Sequence, residues 1–296
     1  MYIRIVPSIL MSLACVFLSA QEATDIYLFD LSEQDNSITI KNPVNISKNN
    51  GYDNQPCFTE DGTAILFASF RDGQSDVAKY FIDEKYKVWL TQTEESEFSP
   101  MPVPGKKKYF TCVRSNLDGT QFLYKYNYRN KPPELLIPNI KVGYYLWFNS
   151  KVLVSFVIDD VETLQVSNFK YKIKYPIQSY IGRSIHKIPE SSGLGQDQIS
   201  FISLSHESPE IYAINPLNSE SKYITDALPG SQDLTWTTQG SILMGKGDMI
   251  YKFRPDMDES WQPIQIESEF PIEGITRLAL SPDGKKLAVV VRESAE

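Results

Sequence analysis

The chain has 296 residues, 42% of them hydrophobic and 22% charged, with a formal net charge of -8. That profile gives enough apolar residues for one large all-β domain or two smaller ones and excludes a disordered or low-complexity chain. The acidic balance sets the surface against phosphate backbones, so nucleic acid is excluded as an expected partner.

The first twenty residues, MYIRIVPSILMSLACVFLSA, carry one cation, Arg4, then an apolar run from Ile5 to Leu18 and small residues. This is the layout of a secretory signal peptide, and cleavage is expected after Ala20. The apolar run falls short of the ~20 residues of a spanning helix, so no transmembrane span is expected in the mature chain. Acylation at Cys15, as in a lipoprotein, is a minor alternative. Loss of Arg4 with the leader makes the mature chain one unit more acidic.

Residues 21–296 are predicted to form one all-β domain. Seventeen Tyr and 15 Phe, many beside Ile and Val, suit pleated, half-buried surfaces better than helices. In chain order, TDIYLFDL (Thr24 to Leu31) and ITIKNPVNIS (Ile38 to Ser47) read as two strands. PCFTEDGTAILFAS (Pro56 to Ser69) then reads as strand, tight Asp-Gly turn, strand. The same order returns in MPVPGKKKYFTCV, LWFNSKVLVSFV, HKIPESSGLGQDQISFIS and LTWTTQGSILMG, and for the sixth time in LALSPDGKKLAVVV. With Gly62, Gly105, Ser150, Gly193, Gly240 and Gly284 as turn markers, the spacings are 43, 45, 43, 47 and 44 residues.

A β-rich period in the low forties is that of four-stranded propeller blades. Each of the first five copies is followed by two more strands, such as SDVAKYFID and KVWLTQ in the first. The sixth copy lacks them. TDIYLFDL matches the third strands (PEIYAIN, GDMIYKF) and ITIKNPVNIS the fourth, so the N-terminal strands are expected to complete the last blade and close the ring.

SPDGKKLAVVV, TEDGTAILFASFRDGQSDV and SPEIYAIN resemble the WD40-like (PD40-type) repeat of TolB-type propellers, in which an S-P-D-G-K turn leads into an apolar strand. The resemblance implies a six-bladed β-propeller, commonly exported into a Gram-negative envelope, periplasmic or secreted, and often used as a protein-interaction platform. It implies no single activity, because the fold hosts binding modules and enzymes alike.

The loops that enter the inner strands should form one mouth of the central channel. Near those strand starts stand Asp53, Glu97, Arg183, Asp233 and Arg277, with Tyr144 and Tyr145 in the third copy and His186 just after Arg183. Convergent polar groups in a concave site are a binding-site signal, and Arg suits bidentate capture of a carboxylate. A small polar ligand or another envelope protein is the expected partner of a monomer without a cofactor. Against this stands mutual pairing of the same charges across a hydrated channel. The alternative function is a propeller enzyme, lyase-like or cyclase-like, acting on a sugar acid or peptide with His186 as base beside Glu97 or Asp233. Two histidines, His186 and His206, leave no multi-histidine metal centre, and no metal is expected. Cys57 and Cys112 lie in apolar strand patterns and read as small hydrophobes, with a disulfide between them the other option.

Overall fold

The computed structural model describes residues 22–129 and 131–293, and the leader expected over residues 1–20, Cys15 included, lies outside them. The described residues form six antiparallel blades in a ring, each built on an inner strand facing the channel. Those inner strands are Asp53–Phe58, Ser96–Pro102, Val142–Asn149, Ile181–Lys187, Leu234–Trp236 and Arg277–Leu280, taken here as blades 1 to 6. Each of blades 1 to 5 runs outward in sequence order through three further strands.

Blade 6 is completed from the other end of the chain. Thr24–Gln34 pairs antiparallel with Lys286–Arg292, from Thr24 opposite Arg292 to Asp30 opposite Lys286, and Ser37–Asn45 adds outside it. The Lys286 Nζ lies 2.6 Å from Asp30 Oδ1 across this seam. One element was not anticipated. Ile266–Glu267, expected as part of blade 5's outer strand, instead adds to blade 6 in parallel, Ile40 opposite Ile266. A single stretch thus serves two blades, Gln262–Ile264 in blade 5 and the next residues in blade 6.

Because every blade carries apolar side chains on both faces, the core is divided among the junctions between blades. Leu66, Val77, Phe110 and Cys112 pack blade 1 on blade 2, and Leu243, Ile250, Leu278 and Val289 pack blade 5 on blade 6. Ile26, Ile46, Ile65, Phe67 and Val290 close the ring between blades 6 and 1. Burial of such side chains is worth about 1.5–3 kcal/mol each, and here no one junction holds most of it.

Two tryptophans repeat one device. Trp147 Nε1 donates to Thr111 Oγ1 at 3.0 Å and Trp236 Nε1 to Ser200 Oγ at 2.9 Å, in each case from an inner strand to the second strand of the preceding blade. Both pairs span 36 residues, as a repeat requires. The alternating tyrosines of blade 2 are also packing residues: Tyr126 stacks on Phe110 at 5.2 Å, Tyr128 lies 5.1 Å from the same ring, and Arg114 sits 3.9 Å over Tyr124.

The turn markers behave as hairpin chemistry demands. Gly240 has φ +96°, and a Cβ there would meet the Ser192 backbone at 2.6 Å, so only glycine fits. The third blade turns without glycine because Asn149 Oδ1 accepts the N–H groups of Lys151 (2.9 Å) and Val152 (3.0 Å). Cys57 and Cys112 are free thiols.

Candidate functional site

Side chains alternate along each inner strand between channel and blade interior. A cavity of about 610 Å³ follows these strands. At the end where the inner strands begin it is lined by Tyr144, Arg183, Asp233 and Arg277, with His186 further along, and at the hairpin end by Glu60, Pro104, Lys187 and Pro282.

Asp233 organises the first end. Arg183 Nε lies 3.2 and 3.1 Å from its two oxygens and Arg183 Nη2 also donates to it, while Arg277 Nε donates to Oδ1 at 3.3 Å. Arg277 also donates to Tyr144 OH at 3.4 Å, and its guanidinium carbon stands 5.1 Å over the Tyr144 ring. Burial alone would raise the Asp233 carboxyl, but the two guanidiniums more than offset this and hold it below the usual carboxylate range. Burial likewise works against the Arg277 charge, and Asp233 outweighs it, so the pKa of Arg277 stays above its ordinary value. The result is a fixed cluster of two cations and one anion.

His186 lines the same cavity, with its pKa pushed down to about 4 by burial; Asp233 opposes that shift and Arg277 adds to it. It is therefore a neutral imidazole near pH 7. Tyr145 is buried in the wall, its hydroxyl 2.9 Å from the Ser99 carbonyl and 3.0 Å from Thr111 Oγ1, a clasp between blades 2 and 3.

Asp53 and Glu97 are not brought to this cluster. Both are fully buried and neither lines the cavity. Glu97 Oε1 accepts from Thr93 Oγ1 (2.6 Å) and Tyr126 OH (3.0 Å), leaving Oε2 unpaired. Among the described residues neither oxygen of Asp53 has a hydrogen-bond partner, and the Ser69 hydroxyl opposite eases its charge without reaching hydrogen-bond geometry. Burial pushes each carboxyl up to about 7. The pairing of His186 with Glu97 envisaged for an enzyme is therefore not present.

The inner strands of both blades carry a β-bulge directly after these residues. The register shifts between Asn54 and Cys57 in blade 1 and between Phe98 and Met101 in blade 2. Gln55 (φ +58°) and Ser99 (φ +50°) take left-handed conformations there, and Ser99 N donates to Gln55 Oε1 at 2.6 Å. Both lie in the cavity wall and were missed from sequence, together with the Cys57 thiol and Met101. The signal was available: Gln55-Pro56 and Ser99-Pro100 place proline inside an inner strand, where it marks a bulge.

Among the described residues no group of three or more His, Cys, Asp or Glu is placed to hold a metal ion. No helix there is long and apolar enough to cross a membrane.

No protein-family model matches the chain, and none of the curated proteins matches it. Solved structures do. The chain is similar to a TolB-type protein of Agrobacterium tumefaciens (TM-score 0.67, 12% identity, covering 93% of this chain and 99% of that one). It is similar to a gluconolactonase of Xanthomonas campestris (0.60, 8% identity, 93% and 98%). A chain of the nidogen/laminin complex is also similar (0.59, 7% identity, 90% and 98%). These likenesses show the fold, a six-bladed β-propeller of the kind TolB has, with binding proteins and an enzyme among its users.

Proposed function

We propose that this is an exported, non-enzymatic propeller that acts as a binding module, engaging a small polar ligand or a group presented by another envelope protein through its central channel. The observation that carries this reading is the Arg183–Asp233–Arg277 cluster. It holds one more cation than anions, it faces a cavity of ligand size, and among the described residues neither guanidinium Nη1 has a hydrogen-bond partner. Pre-placed donors of this kind suit recognition of an anionic group. The leader-like first twenty residues support export, and the resemblance to TolB-type repeats supports a place in the envelope.

The enzyme reading has less behind it. The gluconolactonase likeness extends to the fold alone, and His186 has no hydrogen-bonded carboxylate among the described residues to orient it as a base. Arg183→Ala, Arg277→Ala and His186→Ala, assayed by ligand-induced thermal stabilisation and by capture of envelope proteins, test the proposal. The two arginine variants are expected to lose binding of the same ligand or partner. If affinity survives in all three, the channel is not the site; turnover of a sugar acid or peptide lost only in His186→Ala would make the protein an enzyme.

A further inference from the structure

The charged groups lining the cavity are few, and their placement is uneven. At the hairpin end Glu60 and Lys187 oppose one another electrostatically and sum to zero. Glu60 is further held by the Gly105 N–H, at 3.1 and 3.2 Å from its two oxygens. At the other end two arginines share one aspartate, and His186 adds no charge near neutral pH. The lining therefore carries a single uncompensated positive charge, confined to one end.

Between these ends the wall is apolar. Pro100, Met101, Leu146 and Leu280 contribute to it. From Arg183 to Lys187 the inner strand of blade 4 rises roughly 13 Å at about 3.3 Å per residue, so the apolar stretch is several methylene groups long. A lone cation at the end of an apolar tube is matched by a molecule with one negative end and an apolar body. A dianion would leave a buried charge in excess, and a fully polar ligand would leave the walls unmatched.

We propose that the channel binds an amphipathic monocarboxylate, its carboxylate accepting from the Nη1 groups of Arg183 and Arg277 and its apolar body lying along Leu146, Leu280 and Met101 toward the hairpin end. This deepens, and rests on, the reading of the channel as a ligand site. The carboxylate replaces water on donors that are already held in place by Asp233 and Tyr144, so little ordering is required on binding. The body displaces water from the proline-rich and leucine-rich wall, which supplies affinity in proportion to chain length.

Isothermal titration calorimetry of the mature protein with octanoate, acetate and octylammonium at pH 7.4 tests this. Octanoate is expected to bind one to one, acetate about tenfold or more weaker, and octylammonium not at all. Arg277→Gln should weaken octanoate by about tenfold or more. Should that variant fold poorly, Leu280→Asp, at the apolar section and away from Asp233, should abolish octanoate binding with the arginine cluster intact. Equal binding of octanoate and octylammonium, or of octanoate and acetate, overturns the proposal. So does octanoate affinity unchanged in both variants, or absence of octanoate binding to the unmodified protein. If octanoate fails while another ligand or partner is lost in the arginine variants, the carboxylate assignment falls and the channel site stands; if nothing responds to those variants, the channel site itself falls.

Discussion

Blades 1, 2 and 5 place an acidic residue near the start of the inner strand and blades 4 and 6 an arginine, yet the two sides of the ring treat the acids in opposite ways. In blade 5 Asp233 meets Arg183 and Arg277 and is held ionised in the channel. In blades 1 and 2 Asp53 and Glu97 lie outside the cavity, buried and with no ion pair among the described residues, and burial pushes their carboxyls up to about 7. The same residue type near the start of an inner strand becomes a channel-facing, ion-paired anchor on one side and a concealed acid on the other. The neighbouring charges and the burial decide which.

The sharpest way to break this comparison is Asp233→Asn. Removing that charge leaves two guanidiniums close together and poorly paired, which should destabilise by about 3–5 kcal/mol in urea unfolding at pH 7. Because the Asp233 carboxyl is held low, its stabilising effect should be present above the unfolded carboxylate range and fade as pH falls through the folded value. A variant as stable as the parent would show that the cluster is not what fixes this half of the channel.

Asp53→Asn and Glu97→Gln should act in the opposite sense. A carboxyl raised to about 7 in the folded protein costs nothing below its unfolded pKa and progressively more as pH rises toward 7 and beyond. Each amide variant should therefore gain stability relative to the parent between pH 5 and pH 8, by roughly 2–3 kcal/mol. A gain of equal size at both pH values would mean that the carboxyls are not held neutral by burial.

Smaller effects sharpen the comparison at the junctions between blades. Trp147→Phe and Trp236→Phe each delete one indole hydrogen bond, to Thr111 and Ser200, and should cost about 1–2 kcal/mol. The two losses should be alike although one lies beside the concealed acids and the other beside the arginine cluster. Unequal losses, read from the denaturant midpoint, would show that the two sides of the ring differ in packing beyond the inner strands.

Much of this architecture was legible in the repeat. The Gly and Asp-Gly turn markers predicted six hairpins, and the match of TDIYLFDL to PEIYAIN predicted which strands complete blade 6. The division of Gln262–Glu267 between blade 5 and blade 6 escaped because WQPIQIE reads as one apolar-polar strand, and only tertiary pairing divides it. For the candidate site, residue type pointed to Arg183, Asp233 and Arg277, which the fold brings together in the channel. Side-chain direction was a different matter: bulges break the period-two alternation of the inner strands, and in blades 1 and 2 Pro56 and Pro100 marked them.

The seam of blade 6 also sets an order of events. Thr24 pairs with Arg292, and the separation between them spans nearly all of the described residues. In synthesis from the N-terminus, the hairpin of Thr24–Gln34 and Ser37–Asn45 emerges before the other blades and must wait with its inner edge unpaired while they form, because Lys286–Arg292 follows them. Closing so long a loop is slow compared with hairpin formation, which makes seam closure the natural rate-limiting event of folding. During that interval the waiting strands are the part of the molecule most exposed to proteases and to mispairing with a second chain.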